Sequence, residues 1–260
     1  MRFIIFLGLL TTCFAVPRSI SRIVGGSDTD ISVYPFMSNM QHSATGFWWG
    51  MECAGSLLTS TSVLSAAHCF YGDHVSQWRV VLGSSFAHSG GNVHTINTIT
   101  LHPQYDALNF DVAIVRLNSP AAYSINVQPG SIAGSNYHVA DGASVTHVGW
   151  GRLWYWGPIS ERLQHVNVNV INHELCAARY AYLKTQPFYE DWPDITSNMM
   201  CAGILDVGGK DACSGDSGGP LLHNNVIVGI TSWGFECADS FYPGVSARVS
   251  YFTNWIVANA

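Results

Sequence analysis

GDSGGP, residues 215–220, sets Ser217 among glycines, where little can shield its hydroxyl from a substrate. Small flanking residues let the backbone turn tightly and let N–H groups converge on one point, which acyl transfer needs to stabilise a developing oxyanion. Gly215 and Ser217 are the candidate donors. Taken alone, such a run reads first as an ordinary Gly/Ser turn, so the rest of the chain has to supply what a serine nucleophile requires. A hydroxyl near neutral pH needs a base to take its proton and a third group to hold that base. His68 lies in SAAHC after the apolar run 62–64, and Asp111 opens DVAIVRL, an apolar stretch that reads as a buried strand. The chain holds 11 His, of which this chemistry uses one. His173 and Glu174 begin an HExxH-like run, but Ala177 stands where the second metal ligand should be, so a zinc-protease helix is rejected.

Outward from these motifs, short β-branched runs at 80–82, 93–99, 112–115, 145–148, 166–171 and 226–230 alternate with Gly, Asn, Ser and Pro clusters. That is the pattern of an all-β sandwich or barrel, and pattern alone leaves the two open. No linker or repeat interrupts 23–260. At the end, Val249, Phe252, Trp255 and Ile256 recur at helical spacing after Ser250, predicting a closing helix capped by that serine, its apolar face used for packing. Residues 1–15, with Arg2, the apolar 3–10 and the small residues Cys13 and Ala15, read as a signal peptide. No stretch reaches the roughly 20 apolar residues that span a bilayer. Of 7 Cys, Cys13 leaves with the signal, and the remaining six allow 15 pairings, as expected of a disulfide framework made in an oxidising compartment. No CxxC pair suggests zinc.

Five motifs together resemble the trypsin-like serine proteases: IVGG at 23–26, AAHC around His68, DVAIVRL at Asp111, GDSGGP around Ser217 and SWG at 232–234. They stand in that family's order and span nearly all of 23–260. The resemblance implies two antiparallel six-stranded β-barrels with the active site in the cleft between them. It implies that Ser217 attacks the scissile carbonyl, His68 shuttles its proton and Asp111 orients His68, with Gly215 and Ser217 forming the oxyanion hole. Ser232 would sit beside Asp111 and pair its backbone with bound peptide. The disulfides would be Cys53 with Cys69, Cys176 with Cys201, and Cys213 with Cys237. Residues 16–22 would form an activation peptide ending at Arg22, and cutting there would free the α-amino group of Ile23 to pair with Asp216 and switch on a zymogen.

In the same family the residue six before the nucleophile, here Asp211, lies at the bottom of the primary specificity pocket, with Gly234 and Gly244 on its walls. Together they imply cleavage after Arg or Lys. Ala212 stands where many relatives carry a serine that helps solvate a lysine ammonium, so Arg is expected over Lys, since its planar fork pairs with a carboxylate directly. Protease of chymotrypsin-like or collagenolytic specificity is the alternative, raised by Phe235 and Glu236 near the pocket mouth. A catalytically silent homologue that binds a partner is a further one, opposed by the presence of His68, Asp111 and Ser217.

Arg2, Arg18 and Arg22 fall in the first 22 residues, which hold no acid, leaving 8 basic against 17 acidic residues and a formal charge of −9 over 23–260. That balance excludes nucleic-acid binding. Only Lys184 and Lys210 among the 11 basic residues are lysine. Arginine keeps its charge where lysine, with a pKa of about 10.4, begins to lose it, so the composition suits an alkaline fluid, and digestive trypsins of insect midguts look most similar. The expected picture is a secreted, monomeric digestive endopeptidase acting on protein or peptide substrates, open to protein inhibitors, with no cofactor or metal. The loop after Gly83 has no Asp or Glu before Asp106, so no calcium site is expected there. Two aromatic-rich segments depart from the family: the 24 residues between Cys176 and Cys201, expected to reshape the far side of the cleft, and Trp154, Tyr155 and Trp156, expected to pack against a barrel.

Overall fold

The computed structural model describes residues 23–260; the expected signal peptide, activation peptide and Arg22 lie outside them. A short strand, β1 (Ser27–Asp28), precedes β2 (Met37–His42), β3 (Gly50–Thr59), β4 (Ser62–Ser65), β5 (Trp78–Leu82), β6 (Asn92–Leu101) and β7 (Ala113–Leu117). The last six close on themselves in the order β2-β3-β4-β7-β6-β5. The chain continues through β8 (Ser131–Ile132), β9 (Ser144–Gly149), β10 (Gln164–Ile171), α1 (His173–Leu183), β11 (Met199–Gly203), β12 (Pro220–His223), β13 (Val226–Trp233), β14 (Gly244–Arg248) and α2 (Val249–Asn259). Here β10-β11-β14-β13-β12-β9 form a second six-stranded ring, closed by the β9–β10 pairing, with β1 and β8 added at its margins. Closure removes the unpaired edges that would otherwise invite aggregation. Each expected strand is present, although β7 begins at Ala113, one residue later than the apolar run suggested.

Alternation decides which side chains fill the barrels. In β10, Val166, Val168 and Val170 point inward and are buried while Asn167 and Asn169 face water. One continuous core joins both barrels, from Met40 and Ile114 to Trp150, Leu221 and Phe252. The closing helix α2 reaches across the seam: Phe252 and Trp255 pack on the His102 ring of the first barrel at 5.4 and 5.0 Å. Arg116, bonded to Ser62 at 2.9 Å, also donates to the backbone of Ala260 at 3.0 Å. The expected helix cap differs. Arg248 occupies the N-cap position without a side-chain capping bond, its guanidinium donating instead to Met199 O at 2.8 and 3.1 Å, and Ser250 is already inside the helix; β14 feeds straight into α2, so sheet pairing up to Arg248 fixes the start and no capping hydroxyl is needed. The sequence reading did not anticipate α1, which Asn172 caps by accepting the Leu175 N–H at 3.0 Å.

Candidate active site

Antiparallel pairing brings the first two site residues together. Ser65 at the end of β4 stands opposite Ala113 at the start of β7, so His68, in the one-turn helix Ala67–Cys69, and Asp111 emerge at the same end of the first barrel. Asp111 is buried, and its carboxylate is fully engaged. Oδ1 accepts the His68 backbone N–H at 2.8 Å, while Oδ2 faces His68 Nδ1 at 2.6 Å and accepts the Ser232 hydroxyl at 2.5 Å. An ionised carboxylate can only accept, so Nδ1 carries the proton and Nε2 is left with a lone pair. This ties three sequence-expected residues into one unit.

Ser217 comes from the second barrel, in the turn before β12. Gly218 N–H donates to Thr231 O at 2.8 Å and Thr231 N–H returns to Gly219 O at 2.9 Å, which sets the turn beside the end of β13 that carries Ser232. The two barrels meet here. Ala54 N–H donates to Ser217 O at 2.8 Å, and the Cys53–Cys69 disulfide braces the His68 turn alongside. Gly218 (φ +79°) lies so close to β4 that a Cβ would fall 2.1 Å from Ser65 Oγ, so only glycine permits this approach. Gly215 (φ +97°) likewise occupies a conformation closed to L side chains. Among the described residues, the N–H groups of Gly215 and Ser217 donate to no acceptor, as an oxyanion site requires. Also among them, no hydrogen bond joins Ser217 Oγ to His68; such contacts commonly tighten only when substrate arrives.

Beside Ser217 opens a cavity of about 200 Å³, whose lining includes Asp211, Ala212, Ser232, Gly234 and Gly244. Asp211 forms its acidic end. Burial pushes this carboxyl up to about 7, against the help of N–H groups from Ala238 (3.3 Å) and Ala212 (2.8 Å), and the nearby Asp216 pushes the same way. Gly244 gives it room: a Cβ there would stand 2.8 Å from Asp211 Oδ1. The Cys213–Cys237 disulfide links the Ser217 turn to the opposite wall, and Cys176–Cys201 completes the three pairs. Phe235 turns away from the cavity into an aromatic cluster, 4.9 Å from Tyr242, whereas Glu236 is among the lining residues.

Asp216 points the other way, into the protein. It accepts N–H groups from Gly151 at 2.7 Å and Cys213 at 3.0 Å, and burial holds it near 6. Ile23 is wholly buried, and Gly25 and Asp211 tie its segment to the 209–211 loop: Asp211 N–H donates to Val24 O at 3.1 Å.

The two aromatic segments resolve differently. Between Cys176 and Cys201, Tyr180, Tyr189 and Trp192 pack with Trp233, Phe235 and Tyr242, so this stretch supports the cavity wall from behind. Tyr180 donates to Pro243 O at 2.7 Å and accepts the Phe235 N–H at 3.2 Å. Trp154, Tyr155 and Trp156 correct the expectation of packing: all three are exposed, Trp156 by 84%, because Trp154 closes a tight turn onto Gly157 (N–H to O, 2.7 Å) that leaves the rings outside the barrel. Sequence reasoning also passed over His147 and Thr231, which line the cavity. Strand alternation could have found His147, since it shares the inward face of β9 with Val145.

The family model described as Trypsin matches residues 23–256. The chain is 47% identical over 262 residues to "Trypsin, alkaline B" of Manduca sexta, covering 98% of this chain and 99% of that one. It is 46% identical over 253 residues to "Trypsin CFT-1" of Choristoneura fumiferana (96% of each) and 39% identical over 244 residues to "Achelase-1" of Lonomia achelous (92% and 100%). With two closed barrels, a carboxylate-held histidine and a glycine-flanked serine at their seam, and a family match along almost the whole described chain, the protein belongs to the trypsin family of serine endopeptidases.

Proposed function

We propose that this endopeptidase is a secreted digestive enzyme, made as a zymogen, that cleaves after Arg and, less well, after Lys. The observation that carries the specificity is the Asp211 carboxylate at the end of the cavity that Ser217 lines. A long cationic side chain entering there would meet an anion with little competing water, where charge-assisted pairing is strong. A chymotrypsin-like preference would require a buried carboxylate to face an apolar ring.

In the proposed reaction Ser217 Oγ attacks the scissile carbonyl as His68 Nε2 takes its proton. The tetrahedral oxyanion accepts from the Gly215 and Ser217 N–H groups, and His68 then protonates the leaving amine. Water repeats the cycle on the acyl-enzyme. Asp111 and Ser232 hold the imidazole in the tautomer this needs.

Activation follows from Asp216. Its carboxylate is buried with only backbone partners among the described residues. Cleavage after Arg22 would supply the missing cation as the Ile23 amino group, and pairing a buried carboxylate is worth several kcal/mol. The signal peptide at 1–15 and activation peptide at 16–22 belong to this reading, as does a monomer acting on protein substrates. Lysine poverty supports an alkaline working fluid, and the Manduca relatives are called alkaline trypsins. No helix among the described residues is long and apolar enough to cross a membrane. The test is hydrolysis of matched Arg, Lys and Phe amides by protein cleaved at Arg22, with Ser217→Ala as control. Turnover in the order Arg, Lys, then negligible Phe supports the reading; Phe turnover overturns the role of Asp211, and no turnover overturns the catalytic assignment.

A further inference from the structure

His147 is buried in β9 at the closed end of the specificity cavity, and nothing in the catalytic scheme uses it. Its Nδ1 lies 3.1 Å from Thr231 Oγ1, and its Nε2, buried and without a hydrogen-bond partner, lies 4.0 Å from Asp211 Oδ1. We propose that His147 is a positioning residue for specificity, held by Thr231 with its Nε2–H directed at Asp211, so that the carboxylate is oriented and kept ionised for a cationic side chain.

The choice of tautomer follows from the surroundings. With Asp211 ionised, a proton on Nδ1 would leave the Nε2 lone pair facing a carboxylate oxygen 4.0 Å away, two acceptors opposed. If Thr231 donates to Nδ1 instead, Nε2–H points its positive end at Asp211, and both ring nitrogens are used. Burial pushes His147 down to about 4, so the ring is neutral where the enzyme works and does not cancel the charge that selects Arg. Such a neutral donor strengthens the carboxylate without competing with the substrate. It adds a side-chain dipole to the two backbone donors, Ala212 and Ala238, that already hold Asp211. The other titratable groups around this pair are Asp216, which pushes Asp211 up, Tyr180, which is itself pushed up by Asp211, and Glu236 on the cavity lining. Burial and Asp216 oppose ionisation of Asp211, so an added donor has something to offset.

The inference rests on Asp211 as the specificity carboxylate, and the experiment separates the two. Benzamidine, an amidinium, serves as the probe in competitive inhibition of the Arg22-cleaved enzyme between pH 6 and 9.5, with Asp211→Ser as reference. His147→Leu keeps the bulk and loses the donor, and His147→Gln can place an amide N–H near Nε2. Losing a donor to the carboxylate raises its pKa, so fewer molecules carry the charge near neutrality. The Leu variant is expected to bind benzamidine about threefold to tenfold more weakly at pH 6.5 but less than twofold more weakly at pH 9.5, where Asp211 is ionised regardless. The Gln variant is expected to recover most of the loss, and Thr231→Val, which frees the ring, to repeat part of it. Nitrogen-15 NMR of the imidazole in the parent enzyme should show the Nε2–H form. A pH-independent loss in the Leu variant, no recovery with Gln, an Nδ1–H ring or an imidazolium would each overturn the proposal while leaving Asp211 in its role. Benzamidine binding that ignores Asp211→Ser would overturn both.

Discussion

Replacing Asp211 by Asn should make the protein more stable while removing its taste for cations. Burial raises this carboxyl from 3.8 to about 7. The sign follows from linkage: a group whose folded-state pKa is raised binds its proton more tightly when folded, so its contribution is fully favourable below about pH 4 and is lost as pH rises through about 7. At pH 9 the ionised carboxylate therefore costs about 4 kcal/mol, at 1.36 kcal/mol per pKa unit over about three units. Asn occupies nearly the same volume and can still accept the Ala212 N–H at 2.8 Å, while its amide faces the longer Ala238 contact at 3.3 Å. Allowing about 1 kcal/mol for that mismatch, the net gain is about 3 kcal/mol at pH 9 and becomes a net loss of about 1 kcal/mol at pH 4. For a chain of this size the gain is about 6–12 °C in Tm. The assay is calorimetric melting of Asp211→Asn against its parent, both carrying Ser217→Ala to prevent self-digestion, at pH 4, 6, 7.5 and 9. The reasoning fails if the difference in Tm is the same at every pH or is largest in acid.

Related changes probe the rest of the site. Ser232→Ala removes one of three donors to Asp111 and should lower kcat by about tenfold with KM nearly unchanged, a split that steady-state kinetics on an Arg amide resolves. Gly218→Ala forces a Cβ to 2.1 Å from Ser65 Oγ and should destabilise by about 3 kcal/mol or more while collapsing activity, seen as a Tm lower by roughly 6 °C or more in the Ser217→Ala background. Ala212→Ser adds a hydroxyl beside Asp211 and should raise kcat/KM for Lys substrates relative to Arg by about threefold to tenfold in paired assays. Since Asp211 titrates near 7, Arg hydrolysis should rise with pH through that value, the change appearing in KM, and Asp211→Asn should flatten that limb.

The parts of this molecule that sequence made legible are those fixed by local chemistry. Val166, Val168 and Val170 alternate with asparagines, so a half-buried strand follows without knowledge of its partner. Ser217 and His68 stood out because glycines and a short motif mark them, and family resemblance then joined residues that no spacing rule connects. What stayed hidden depends on the third dimension. Ser250 looked like a cap because serine favours that position, but pairing of β14 up to Arg248 decides where α2 starts. The rings at Trp154, Tyr155 and Trp156 read as core by composition, yet their turn points them outward. His147 carried no motif at all. It gains meaning only because β9 and the 211–213 segment meet at the end of one cavity.

The hydrogen bond from Ala54 to Ser217, with Gly218 pressed on Ser65, has a consequence for the life of the chain before it is finished. His68 and Asp111 belong to the barrel made first at the ribosome, Ser217 to the one made last. In the catalytic scheme proposed above, a chain with a single barrel formed holds a base without a nucleophile, or a nucleophile without a base. On that scheme hydrolytic power is withheld from every half-built molecule, and the many unfolded neighbours around a nascent protease are spared by geometry alone.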